Sequence, residues 1–338
     1  MKGNTVGLAC VSGETISRNP GGDGAMDRDA AIRRLHGAYV TVPTIFRNED
    51  LELDLHAIHE HVRFLLEGGL CVENAAFLSG GAAGDFSTMT LEERVRVAET
   101  IISAAEGKVP VIMGAQTTST RELITLARAA EQVGAEYIQV SPPFYFSHTE
   151  EDFSEYVKAA AEAADVGIVI YNTFWTSGNI SLRMMERLAE LPNVVGLKWA
   201  TPRTDAMEFE RVITTFADRL CVIDNQVQFV SSHMMGARGF EAHPICYWPE
   251  WGVRFWRLLQ SQQYVEAQHE ILRVVVPFYV LWTEMEQHTS GDGYLDKLCM
   301  ELVGLRGGRC RPPTRDVSDQ FRDKARQMLL DAGVPGVK

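Results

Sequence analysis

Lys198 closes the run Val194-Val195-Gly196-Leu197-Lys198-Trp199-Ala200, whose apolar, β-branched character predicts a buried strand. The chain has seven lysines, and the other six read as polar or terminal, as in Glu106-Gly107-Lys108 and Asp323-Lys324. Burial disfavours the charged form of an amine, and an amine so neutralised is a nucleophile toward carbonyl carbon. A second apolar run ends at Tyr171-Asn172, and a third opens into Ser79-Gly80-Gly81-Ala82-Ala83-Gly84-Asp85, a turn of small residues whose amides can face a carboxylate. An amine to condense with a ketone, a phenol to carry protons, and amides to hold an acid group beside that ketone are the parts a Schiff-base enzyme needs. Taken singly, each has a plainer reading: a lysine paired with a carboxylate, a packing tyrosine, an ordinary turn. The chemistry depends on a fold that brings them together.

The order of elements predicts such a fold. Short apolar runs at 38–43, 75–79, 110–114, 137–141, 167–171, 194–199, 220–223 and 239–242 read as strands. Between them, 55–66, 91–105, 121–133, 151–164, 182–191, 206–216 and 228–235 carry apolar residues at three- and four-residue spacing and read as helices. Eight such units specify a parallel (β/α)8 barrel, the TIM barrel of the α/β class, since crossovers are right-handed. The alternative, an open doubly wound sheet, lacks the GxGxxG that would follow its first strand. Residues 1–35 read as a loosely ordered N-terminal extension, 36–247 as the barrel with its catalytic site, and 248–338 as a C-terminal helical segment with helices near 250–259, 264–286 and 317–332. In a barrel the strand C-termini share one mouth. The turn at 79–85, Tyr171-Asn172, Lys198, Asp224-Asn225-Gln226 and His243-Pro244 would therefore meet there.

Composition narrows the class. A net charge of −13 argues against a nucleic-acid partner, which needs clustered Lys and Arg. Cys10, Cys71, Cys221, Cys246, Cys299 and Cys310 are scattered without a CxxC pair, which fits reduced thiols in a cytoplasm. No apolar run reaches membrane-spanning length and the first residues do not read as an export signal, so a soluble, cytoplasmic protein is expected. The histidines at 56, 59 and 61 read as a solvated helix face, with no metal and no cofactor expected.

The pairing of Tyr171-Asn172 and Gly178 with Gly196-Leu197-Lys198 resembles the dihydrodipicolinate synthase and N-acetylneuraminate lyase superfamily of lysine-dependent aldolases, over about residues 37–335. The resemblance implies that Lys198 is the Schiff-base lysine and Tyr171 the proton-relaying phenol. It implies that Gly81, Ala82 and Ala83 offer amides to a 2-oxo acid carboxylate, and that Tyr145, in Pro143-Phe144-Tyr145, reaches a neighbouring subunit's site. A homodimer or homotetramer follows from that last point. The chain also departs from the pattern. Ala82 and Ala83 stand where relay hydroxyls are usual, and Thr176 stands where the synthases carry an arginine for a second carboxylate, so lysine biosynthesis is not expected. Phe174 and Trp175, with Asn225 and His243 as polar contacts, describe a mouth suited to an apolar or aromatic aldehyde beside pyruvate or a related 2-oxo acid. The expected activity is a carbon–carbon lyase (aldolase) reaction. A hydro-lyase or deaminase working through the same imine is the alternative, and a keto-acid-binding barrel without turnover is the alternative of another class.

Overall fold

A computed structural model describes residues 26–205 and 207–338. Eight parallel strands close into one barrel in sequence order: β1 (Gly37–Thr41), β2 (Ala75–Ser79), β3 (Val111–Gly114), β4 (Tyr137–Val140), β5 (Gly167–Tyr171), β6 (Val194–Trp199), β7 (Cys221–Asp224) and β8 (Gly239–Phe240). Pairing of Gly37 and Ala38 with Gly239 and Phe240 makes the seam. The TIM barrel expected from the alternation of elements is therefore the fold. The crossovers are α2 (Leu55–Glu67), α3 (Leu91–Ala105), α4 (Thr120–Val133), α5 (Glu150–Ala163), α7 (Leu182–Ala189) and α8 (Glu208–Phe216), with α9 (Phe229–Met235) before β8. One turn of helix, α6 (Phe174–Ser177), sits between β5 and α7, and α1 (Arg28–Arg34) precedes β1. Every strand is buried along its length because helices cover the outside and side chains fill the inside. Tyr39, Leu78, Ile112, Tyr137, Val169, Val195 and Ile223 form the interior layer.

The extension expected through residue 35 is not loose at its end; residues 1–25 lie outside the described residues. Asp27 caps α1 by accepting from the Ala30 amide, Ala31 and Leu35 are buried, and Tyr137 Oη donates to the Ala31 carbonyl at 2.9 Å. The helix plugs the barrel floor. Gly196 makes room for it, since a Cβ there would lie 2.6 Å from Leu35 Cδ2.

The C-terminal segment holds α10 (Pro249–Gln260), α11 (Tyr264–Glu270), α12 (Val276–Glu286), α13 (Tyr294–Leu302) and α14 (Ser318–Asp331). The stretch read as one helix over 264–286 contains a π turn at Ile271–Val275. Pro277 follows it, and a proline lacks the amide and crowds the carbonyl four residues back, which the wider turn accommodates. Helix α13 was not expected. It is only nine residues long and buried along most of its length, charged Asp296 and Lys297 included, and Gly291-Asp292-Gly293 before it reads as a loop. The histidine stretch also divides differently from its expected solvated face: His56 is exposed, but His61 is buried against the Cys246 carbonyl at 2.7 Å, and burial lowers its pKa to about 4. Among the described residues no group of His, Cys, Asp or Glu is placed to hold a metal ion, and no helix is long and apolar enough to cross a membrane.

Candidate active site

Tyr171 and Lys198 are register partners across β5 and β6, so the phenol and the amine leave the barrel side by side. Lys198 is 3% exposed, with Nζ 4.4 Å from the centre of the Tyr171 ring and 5.2 Å from that of Tyr39. It is not alone there: Nζ lies 2.6 Å from Oε2 of Glu241, the residue following β8. Thr41 Oγ1 donates to the other oxygen, Oε1, at 2.6 Å. A buried ion pair persists only when its remaining lone pairs and protons are satisfied, and Thr41 at the end of β1 supplies that satisfaction. Burial pushes the Glu241 carboxyl up, but Lys198, His243 and the two hydrogen bonds outweigh it and hold the group below the usual carboxylate range. Burial, with Glu241 and Asp292 nearby, raises the Tyr171 phenol well above its usual range, so it stays protonated; Asn225 Nδ2 donates to its oxygen at 3.2 Å.

The small-residue turn leaves β2 at the same mouth. Gly84 and Asp85 amides donate back to the Gly81 and Ala82 carbonyls, and Thr44 Oγ1 donates to the Gly84 carbonyl at 2.7 Å. Ala82 is exposed and Ala83 buried. Asp85 closes the turn in the left-handed region, with φ +56°, and its carboxylate meets Lys297 Nζ of α13 at 2.5 Å. Lys297 is thus a second buried lysine, at odds with the polar setting expected of it; the counter-charge of Asp85 and a hydrogen bond to the Arg309 carbonyl make its burial tolerable. Gly293 lies against the same turn, since a Cβ there would fall 2.5 Å from the Ala83 carbonyl oxygen. Helix α13 is therefore the strut behind the turn.

The same helix reaches His243. Its Nδ1 lies 2.9 Å from Asp296 Oδ2, and the ring stacks on Phe278 at 5.0 Å. Burial works against the imidazolium, but Asp296, fully buried, outweighs it and raises the His243 pKa to about 10. The nitrogen facing Asp296 is committed, so only the rest of the ring is left for the substrate contact expected of this residue. Asp292 is half-buried nearby, and burial raises its pKa to about 6 despite the attraction of His243. Because the folded pKa of His243 lies above the unfolded value, the pair's stabilisation is complete below the unfolded value near 6.5 and is lost as pH rises through about 10. Asp296→Asn should cost about 3 kcal/mol at neutral pH by stranding a buried cation. It should also flatten the fall in thermal stability between about pH 7 and 10 expected of the unchanged protein; calorimetry across that range checks both.

On the rim, Trp175 is 52% exposed and meets Tyr171 edge-on with ring centres 5.8 Å apart, while half-buried Phe174 meets Trp175 at 4.9 Å. Thr176 is exposed, and its hydroxyl donates back to the Thr173 carbonyl. Tyr145 is 84% exposed with φ +91° and contacts Phe146. The fold thus gathers Lys198, Tyr171, Asn225, the 81–83 turn and His243, with Phe174, Trp175 and Thr176 at the edge, and turns Tyr145 outward. Glu241, Tyr39, Asp292 and Asp296 were missed. For Glu241 the signal was short: Gly239-Phe240, between Arg238 and Glu241, is only two residues long, against the four that precede Lys198.

The model of the dihydrodipicolinate synthetase family matches residues 34–332. The 4-hydroxy-tetrahydrodipicolinate synthase of Thermotoga maritima is 34% identical over 174 residues, 51% of this chain and 57% of that enzyme, so the match spans little more than half the relative's length. A probable 5-dehydro-4-deoxyglucarate dehydratase of Corynebacterium glutamicum is 25% identical over 305 residues, 88% of this chain and 92% of that protein. The crystal structure of dihydrodipicolinate synthase from Thermotoga maritima superposes with a TM-score of 0.78 at 25% identity, over 89% of this chain and 99% of that one. Barrel and sequence agree, and the chain belongs to the dihydrodipicolinate synthetase family.

Proposed function

We propose that this chain is a class I lyase acting on a 2-oxo acid through an imine on Lys198, with reversible aldol cleavage and condensation of pyruvate and an aldehyde as its reaction. The observation that carries this is the buried Lys198 amine set against the Tyr171 ring at 4.4 Å, at the C-terminal end of adjacent strands. Amides of Gly81, Ala82 and Ala83 hold the carboxylate, Lys198 attacks C2, and the iminium accepts the electron pair of the breaking C–C bond. Tyr171, held by Asn225, passes a proton to or from the aldol oxygen. Phe174 and Trp175 cover an apolar aldehyde tail, Thr176 offers it no charge, and His243 borders the pocket. Tyr145, exposed on its own protomer, completes the site of a neighbour in a homodimer or homotetramer.

Dehydration of a 2-oxo sugar acid through the same imine is the second reading. It is favoured by the similarity to the Corynebacterium dehydratase, which runs nearly the full length of both chains.

Pyruvate with borohydride should inactivate the enzyme and add a permanent label at Lys198, since only an imine is reduced to a stable amine. In condensation assays, aromatic aldehydes should then give a higher kcat/KM than aspartate semialdehyde: burying ~100 Å² of ring against Phe174 and Trp175 is worth about 2.5 kcal/mol before ordering costs. A label elsewhere defeats the imine. Preference for the semialdehyde defeats the aldehyde assignment, and water release from a deoxy sugar acid moves the second reading to first.

A further inference from the structure

The family pattern supplies relay hydroxyls where this chain has Ala82 and Ala83, yet the mouth holds a carboxylate that can take over proton traffic. Glu241 Oε2 is 2.6 Å from the reacting nitrogen, and among the described residues no other carboxylate pairs with Lys198. Its second oxygen is fixed by Thr41, so the group cannot swing away from Lys198 without losing that bond. We propose that Glu241 is the acid–base group of imine formation, an inference that rests on the imine reading above.

The steps balance. Glu241 takes one proton from the Lys198 ammonium, the freed amine forms the C–N bond to C2, and a proton moves from nitrogen to the former ketone oxygen. Glu241 returns its proton to that hydroxyl, water leaves, and the iminium forms facing the restored carboxylate. One ketone and one ammonium become one iminium and one water.

Around Glu241 stand Tyr39 on β1, Tyr171 on β5, Lys198 on β6, His243 and Cys246 after β8, Tyr279 on α12, and Asp292 and Asp296 at α13. Lys198 and His243 carry positive charge toward it. The two aspartates repel its charge from farther away.

A carboxylate that only balances charge would behave oppositely to one that shuttles protons. Removing a mere counter-ion leaves the buried amine more readily uncharged and speeds its attack; removing the shuttle slows formation and dehydration of the carbinolamine. Glu241→Gln keeps the shape and the hydroxyl contact. Mixed with pyruvate and quenched with borohydride at intervals, it should label Lys198 about 10²-fold more slowly than the unchanged enzyme at neutral pH. Glu241→Ala should regain part of the rate in proportion to added formate. Labelling by Glu241→Gln as fast as or faster than the unchanged enzyme overturns the proposal and leaves Glu241 a counter-ion. If the unchanged enzyme itself shows no label at Lys198, the imine reading fails and this inference with it. Should Glu241→Gln not fold, Thr41→Val tests the same point, because loss of the hydroxyl weakens the charged form of Glu241 and must move the acid limb of the labelling rate to higher pH. An unmoved limb also overturns the proposal.

Discussion

Lys198→Arg should fold, keep its charge beside Glu241, and lose roughly four to six orders of magnitude in kcat, the scale on which removal of a covalent nucleophile costs an enzyme. Arginine is the informative replacement because its guanidinium stays protonated and cannot form the imine, yet it still pairs with a carboxylate. Borohydride with pyruvate should leave no adduct on it, by mass spectrometry. Activity within tenfold of the unchanged enzyme would falsify the imine mechanism outright. Lys198→Met makes the contrast. It takes from Glu241, at 12% exposure, the ammonium it is paired with and leaves only the charge of His243 nearby, and breaking a buried pair costs about 3–5 kcal/mol. The sign with pH should also invert. In the unchanged protein the folded pKa of Glu241 is depressed, so its stabilisation is present above the unfolded value and is lost as pH falls through the folded one. With Lys198 gone, burial dominates, the carboxyl is favoured in its neutral form, and this contribution declines as pH rises.

The barrel was legible because each βα unit repeats the same signals, a short β-branched run and then a three-four periodicity, and eight repeats leave little choice of topology. Lys198 and Tyr171 were legible for a related reason: a polar group ending an apolar strand contradicts its surroundings. What was not legible depends on contacts between distant parts of the chain. Glu241 sits 43 positions from Lys198 and faces it only once the barrel closes. Asp296 and Lys297 belong to a short helix and read as ordinary solvent-facing charges, because their partners, His243 and Asp85, lie 53 and 212 residues away. Helix α1 looked like a tail because two buried residues, Ala31 and Leu35, are too few to form a pattern; only the barrel floor gives them something to cover. The same logic separates His61 from His56. Their spacing is uninformative, and the Cys246 carbonyl decides.

Tyr171→Phe tests the division of labour among the groups at the mouth. The ring remains against Lys198 and Trp175, so packing is kept, and the loss of one hydrogen bond from Asn225 should cost only about 1 kcal/mol of stability. Turnover should fall by roughly 10²- to 10³-fold, as expected for a positioned proton-transfer group. Trapping of the Lys198 imine should persist, because in this mechanism Glu241 serves C–N bond formation and Tyr171 serves the aldol oxygen. The phenol is held protonated by burial and by the negative charges of Glu241 and Asp292, which suits it to donate to that oxygen during condensation and to recover the proton during cleavage. If the two roles are separate, Tyr171→Phe slows product formation while leaving the rate of labelling by borohydride within about tenfold, and Glu241→Gln slows the labelling itself. Because both groups touch the same nitrogen and share one electrostatic field, their effects in the double variant should fall short of the product of the singles. Rapid-quench measurement of labelling and turnover in all four proteins decides it: a full product in turnover would mean that both groups act in one transition state and not in separate steps, and equal loss in both assays from Tyr171→Phe alone would give the imine-forming proton to the tyrosine.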